Sequence, residues 1–342
     1  MMTSGFSRLS AALACLLPLV AAPAKADAIS DFYGSQRLNF IVPTSAGGGF
    51  DLYSRVLMEF LPSHLPGKPT AVLQNMPGAG GVRAANYMYR VAPKDGATFG
   101  MALSSIPLAE ALETEEIQYK SSGFGWIGTM TTDTEVLAVW KASGVGSIEE
   151  ARKTELPIGA TGKLGTLGLN TGLANALLGT KFKIIFGYPG SNEINLAMET
   201  REVQGRTNQW ASWKTQAPQW VKTDQLAYLL QIGPKDPELP QVPSFIDLVT
   251  SPRDKAIVNL LQSNQVMGRS IYAPPGVPPA RLAALRAAFD KALVDPGLLA
   301  RMKQAGLDIV NPCNGETLAA NITATMSTST EAAADIKKLL NL

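Results

Sequence analysis

Apolar and polar positions follow two rhythms along this chain. Short runs of branched and aromatic residues end in glycine- or proline-marked turns, and apolar residues at helical spacing follow. The first repeat organises the rest. Phe40, Ile41 and Val42 predict a buried strand, 44–49 a tight loop with three consecutive glycines, and Asp51 the opening of a helix. Leu52, Val56 and Phe60 share one face of that helix, and Pro62 is expected to stop it. A strand at 70–74 then runs through Asn75-Met76-Pro77-Gly78-Ala79-Gly80-Gly81 into a helix over 82–91. After a turn at 93–96 come a third strand at 98–103 and a short helix at 108–112. This β-α-β-α-β order predicts a parallel sheet with helices on both faces.

The texture changes near Phe124. Strands are expected at 126–130, 135–140, 157–160, 182–186, 203–208 and 226–232. Helices at 148–153 and 192–199 lie between them, with another carrying Leu169, Leu173 and Leu177 and closed by Gly179. This is a second α/β unit of the same plan, without a sequence repeat. A proline-rich stretch at 233–243 leads to a helix at 254–262, an extended segment at 269–273, and a proline-opened helix with Leu282, Leu285 and Phe289 on one face. Helices at 297–304, 315–326 and 332–340 finish the chain. The expected organisation is a removed segment 1–26, a first lobe from 27–122, a second lobe from 123–230, and a return to the first lobe over 231–342.

The ends and the charge narrow the function. Arg8, the apolar run 9–22 and Ala24-Lys25-Ala26 read as an export signal cleaved before Asp27. That run is short for a membrane span, which needs about 20 residues. Cleavage would leave 316 of 342 residues, enough for two domains, and would take the net charge from +2 to 0. A neutral chain with 17% charged residues offers no basic face for nucleic acid and no polybasic membrane anchor. Loss of Cys15 leaves Cys313 alone, so no intrachain disulfide is expected even after export.

The glycine loop carries the chemistry. Residues without Cβ let a ligand approach the backbone, and the free N–H groups of a first helical turn favour an anion. Asp51 is expected to cap that helix with its own carboxylate. In open α/β sheets ligands sit beyond the carboxyl ends of strands, which would set Ala46, Gly47, Gly48 and Gly49 opposite Gly162, Gly165 and Thr166 and opposite Ser191. Thr166 and Ser191 serve either as N-caps or as ligand contacts. Competing motifs fail. Around Gly162-Lys163-Leu164 a P-loop would need glycine at Pro157 and Ser or Thr at Leu164. The run Gly78–Gly81 is too short for a dinucleotide fingerprint, and no Gly-x-Ser-x-Gly elbow occurs. One histidine, His64, expected on a solvated loop, rules out a histidine metal cluster and disfavours a Ser-His-Asp triad. Cys313 reads as an inert small residue. Trp210 is either a cleft wall or core, Trp213 reads as core, and Arg206 could face a carboxylate.

The ordered set Val-Pro-x-x-x-Gly-Gly-Gly-x-Asp-x-x-x-Arg (42–55), Asn-Met-Pro-Gly-Ala-Gly-Gly (75–81), Ala-Pro-Lys-Asp-Gly (92–96), Gly-Ala-Thr-Gly (159–162), Gly-Tyr-Pro-Gly-Ser (187–191) and Ala-Pro-Pro-Gly-Val-Pro (273–278) resembles the substrate-binding receptors of tripartite tricarboxylate transporters, the Bug-type periplasmic proteins. The resemblance covers essentially the whole mature chain. It implies an α/β fold of two lobes, a flytrap in which each lobe is a mostly parallel sheet flanked by helices. It also implies a periplasmic receptor, not an enzyme, that captures a small carboxylate without metal or cofactor and delivers it to membrane permease subunits. A monomer is expected. The resemblance implies Ala46, Gly47, Gly48, Gly49 and Asp51, with Thr161, Gly162, Gly165 and Thr166, as ligand residues; Ser104, Ser191 and Trp210 are expected beside them. Thr44-Ser45-Ala46 departs from the Pro-Gly that many members carry there, Lys163 adds a charge, and Leu169 stands where a histidine is frequent. The crossings at 103–124 and 230–233 are the expected hinges. A sensory carboxylate-binding module and, less favoured, an exported enzyme acting on carboxylates are the alternatives.

Overall fold

The computed structural model describes residues 25–132, 134–328 and 330–342. The expected export signal therefore lies outside the described residues, except for Lys25 and Ala26, which open a helix Lys25–Ser35. Eleven strands are present among the described residues: β1 Arg37–Val42, β2 Thr70–Asn75, β3 Thr98–Met101, β4 Gly125–Thr129, β5 Glu135–Trp140, β6 Leu156–Gly159, β7 Phe182–Ile185, β8 Gly205–Gln209, β9 Leu226–Ile232, β10 Ser270–Ala273 and β11 Cys313–Asn314. They form two sheets, ordered β11-β4-β10-β3-β1-β2 and β7-β6-β8-β5-β9.

Both sheets are mixed. In the first, β1 pairs parallel with β2 and β3, and β10 inserts antiparallel between β3 and β4. In the second, β6 pairs parallel with β7 and β8, and β5 runs antiparallel to β8 and β9. Short strand-turn-helix units give the parallel pairs, because a parallel partner needs a crossover. The antiparallel members are strands delivered where the chain passes between sheets. β4 is the instructive case. It was expected in the second unit, yet it pairs with β10 and β11 of the first sheet. The segment 103–124 thus joins two strands of one sheet, and the chain passes to the second sheet between β4 and β5. After Ile232 the chain leaves the second sheet and next enters the first at β10.

The helix after β1 spans Gly49–His64 and continues two residues past Pro62. Proline lacks an N–H and clashes with the turn before it, so near a C-terminus it shortens a helix more than it breaks it. The deepest face of this helix carries Tyr53, Leu57 and Leu61, all fully buried, while Leu52 and Phe60 sit half-buried at its flanks. Its last residue, His64, is not on a loop: Nε2 lies 2.8 Å from Asp295 Oδ2, and that carboxylate also caps the helix Pro296–Gln304. The helix Pro279–Leu293 packs on both β4 and the Gly49–His64 helix, with Leu285 and Phe289 in the core. The C-terminal helix Thr330–Leu340 lies against helices Pro252–Ser263 and Thr166–Leu178, so the end of the chain touches elements of both sheets. One apolar cluster is continuous across the two units, holding Leu103 and Ile106 beside Leu137, Leu164 and Leu169. No helix among the described residues is long and apolar enough to cross a membrane.

Phe289 fills the space above Gly128, where an added Cβ would collide with its ring. Phe289→Ala is expected to lower unfolding free energy by about 3–5 kcal/mol. Leu299→Ala, at a site 44% exposed, should cost less than about 0.5 kcal/mol. Equilibrium denaturation of both variants checks this.

Candidate functional site

Asp51 fixes the first loop, by a route different from capping. The N-cap of its helix is Gly48, which makes no side-chain cap. The Asp51 carboxylate turns backwards: Oδ2 accepts from Gly47 N at 2.8 Å and from Arg55 Nε at 2.7 Å, and Oδ1 accepts from Asn75 Nδ2 and Arg55 Nη2. Asn75 Nδ2 also donates to Thr44 O, tying the end of β2 to the start of the loop. The carboxylate is fully buried. Burial alone would push its pKa up, but hydrogen bonds from Arg55, Gly47 and Asn75 and the Arg55 charge outweigh that and hold it below the usual carboxylate value. The first-turn amides of the helix are left without a side-chain cap.

Two further helices begin the same way. Gly165 precedes Thr166–Leu178 and Gly190 precedes Ser191–Glu199, and neither start has a side-chain cap. Thr166 and Ser191 are therefore first helical residues and not caps. The loops of the two sheets meet here. Ser45 N donates to Pro189 O, Ser45 Oγ donates to Glu193 Oε2 at 2.8 Å, and Asn192 Nδ2 donates to Ala46 O at 3.1 Å. A Cβ placed on Gly47 would stand 2.6 Å from Asn192 Nδ2, and one on Gly48 would stand 3.9 Å from Ser191 N. The Gly162–Thr166 loop faces a different partner from the one expected. A Cβ on Gly80 would come within 2.5 Å of Gly165 N and Cα, and one on Gly162 within 2.5 Å of Gly80 N. Thr161 Oγ1 lies against Gly165, and Ser104 Oγ meets Thr166 Oγ1 at 3.2 Å across the sheets.

The start of the Gly49–His64 helix also abuts the helix Trp210–Gln216. A Cβ on Gly49 would strike Ser212 Oγ and would lie 3.0 Å from Gln216 Nε2 and 3.1 Å from Arg269 Nη2. Arg269 Nη2 donates to Ser212 Oγ at 3.0 Å, and its guanidinium covers the rings of Phe50 and Tyr53. Ser45, Asn75, Gly80, Asn192, Glu193, Ser212, Gln216 and Arg269 were not among the residues the sequence singled out. The motif 75–81 was a legible signal for Asn75 and Gly80; the others carry none.

Trp210 does not join this group. Its indole N–H donates to Glu238 at 2.6 Å, its ring meets Tyr228 edge-on, and it borders a cavity with Thr131 and Pro234. Lys163 is exposed and lines a groove with Phe186 and Leu340. Trp213 is core, with its N–H donating to Val136 O. Burial pushes the Cys313 thiol up, away from the reactive thiolate. Among the described residues no group of three or more His, Cys, Asp or Glu side chains is placed to hold a metal ion.

Residues 55–332 match the tripartite tricarboxylate transporter family receptor family. The chain belongs to that family. Its sequence is 28% identical over 294 residues to a UPF0065 protein from the gbd 5′ region of Cupriavidus necator, covering 84% of this chain and 83% of that one. The fold is similar to that of the periplasmic binding protein BugD, with a TM-score of 0.71 and 21% identity over 89% of this chain and 98% of the other. It is also similar to that of MatC from Rhodopseudomonas palustris with bound malate, at 0.70 and 19% over 87% and 99%. Family and fold are those of solute-binding receptors, and the two-unit architecture expected from the sequence is theirs.

Two outcomes are expected of this receptor's loops. Asp51→Asn should lower stability by about 1–2 kcal/mol at neutral pH. Because the folded-state pKa of Asp51 is depressed, its charge stabilises above the unfolded carboxylate pKa, and that contribution is lost as pH falls through the lower folded value. The gap in thermal unfolding between wild type and variant should therefore begin to narrow near about pH 4 and close only once pH has fallen past the lower folded value. Gly80→Ala places a Cβ against Gly165 backbone at a φ of +62°, costing about 1–2 kcal/mol of local strain. It should also push the two turns apart, which small-angle scattering would read as a larger radius of gyration.

Proposed function

We propose that this receptor captures a small organic carboxylate between its two sheets in the periplasm and delivers it to the membrane subunits of a tripartite transporter. One observation carries the reading: three helices open on uncapped glycines where the loops of the two sheets meet. Each helix start bears a partial positive charge of about half a unit. Gly48 at the start of one helix lies against Ser191, and Gly190 at the start of another lies against Ser45, so two like-signed ends approach across the cleft. An anionic group between them would turn that repulsion into attraction, and a carboxylate can accept from both sets of amides.

Ala46 to Gly49, Ser104, Thr161, Gly162, Gly165, Thr166 and Ser191 are the contacts we assign to ligand or to its bound waters, with Gly80 added and Trp210 left out. Asp51 positions the loop and does not bind the anion, since its own charge is held inward by Arg55. Closure by rotation of one sheet against the other, where the chain passes from β4 to β5 and after Ile232, would let both sheets share the ligand, which stabilises the closed form by the difference in affinity between states. The malate held by MatC, a protein of the same fold, fits this chemistry. The expected export signal is consistent with the compartment.

The test is a thermal-shift screen of the mature protein against mono-, di- and tricarboxylates and their neutral amides. A carboxylate present at about a hundred times its Kd should add about 2.7 kcal/mol to stability, while the neutral amide should add little. Equal response to acid and amide, or no shift after refolding to remove any copurified ligand, would overturn the carboxylate reading.

A further inference from the structure

Arg206 is a cation whose position the receptor reading does not yet use. It lies on β8 opposite Ala138 of β5 and is fully buried. Its guanidinium stacks 4.7 Å over Trp213, and Nη2 donates to Gln216 Oε1 at 3.3 Å. Nε and Nη1 are buried and have no hydrogen-bond partner. Glu135 is the acid that acts on it electrostatically, but no ion pair joins the two among the described residues. Burial pushes the guanidinium pKa down to about 9, a measure of how poorly its charge is compensated.

Apart from Glu135 and the Gln216 carbonyl, the polar groups around Arg206 are donors. Since Gln216 accepts with its carbonyl oxygen, its amide nitrogen points onward, unpartnered, to the start of the Gly49 helix. Asn208, two residues along the same face of β8, has an unpartnered Nδ2. Ser212 and Arg269 complete the contact with Gly49. A buried fork of N–H groups without an acceptor is costly, and a carboxylate is the acceptor whose two oxygens match a guanidinium edge. The line Arg206–Gln216–Gly49 connects this fork to the amides proposed to hold the first carboxylate.

We infer that Arg206 is the residue that selects ligands carrying a second anionic group, so that this receptor prefers dicarboxylates to monocarboxylates. The inference rests on the carboxylate reading above. A ligand with one carboxylate satisfies the helix ends and leaves the fork unmatched. A diacid satisfies both.

Calorimetric titration of wild type, Arg206→Met and Arg206→Lys with diacids and their half-amides (succinate and succinamate, glutarate and glutaramate, adipate and adipamate) tests this. Wild type should favour the diacid by about tenfold or more. Arg206→Met should abolish that preference by weakening the diacid alone, with half-amide affinity changed by less than about threefold. The ligand-free melting temperature of Arg206→Met should hold or rise, because methionine removes an uncompensated buried charge. Arg206→Lys keeps the charge without the fork and should retain a reduced preference. It also serves if the methionine variant does not fold. A preference that survives Arg206→Met, an unchanged preference in Arg206→Lys, an equal loss for both ligand types, or a wild type indifferent to the second carboxylate would each overturn the assignment of Arg206. Wild type that binds no carboxylate at all would instead overturn the receptor reading, and this inference with it.

Discussion

The buried carboxylate of Asp51 is the constraint on which the meeting of the two sheets depends. An ionised group sealed from water persists only if its lone pairs are filled, and here they are filled by Gly47 N, Asn75 and Arg55. Each bond fixes something different. Gly47 N sets the loop at a φ of +79°, Asn75 ties β1 to β2 through Thr44, and Arg55 runs back along the helix. With the loop held by its own side chain, the helix start keeps its amides, and Ala46 and Ser45 present backbone and hydroxyl to Asn192, Pro189 and Glu193. Had Asp51 capped the helix instead, it would have filled the amides that make the site attractive to an anion.

Close approach of backbone to backbone is the second condition. Gly80, Gly162 and Gly165 touch without side chains between them, and Gly49 admits the polar ends of Ser212, Gln216 and Arg269. The cleft is thus lined with donors: amides, hydroxyls, side-chain amides and two buried guanidinium groups. Of the acids nearby, Asp51 is held by Arg55 and Glu193 by Ser45, while Glu135 acts on Arg206 from β5. This preponderance of donors supports the proposed anionic ligand. It follows from where charges lie and not from any one strong contact.

The strand-turn-helix order was legible in the sequence because each step has a local cause. Branched and aromatic runs favour strands, glycine at Gly179 ends a helix in the left-handed conformation at φ +71°, and Pro279 sits in a first turn where its missing N–H costs nothing. The ordered glycine motifs likewise marked the loops that meet between the two sheets. The membership of β4 was not legible, since its partners β10 and β11 lie more than a hundred residues away. The direction of the Asp51 side chain was not legible either, because the same residue can cap its helix or bind the preceding loop, and Asn75 and Arg55 decide between them.

Sequence alone therefore determined two α/β units with glycine-opened helices, because backbone conformation and end charge are local properties, and the anion-binding chemistry we propose rests on them. Tertiary structure decided which loops meet. It set Gly80 against Gly165, turned Trp210 to Glu238, and buried Arg206 beside Gln216. Those outcomes depend on burial and on partners distant along the chain, and no spacing of residues encodes them.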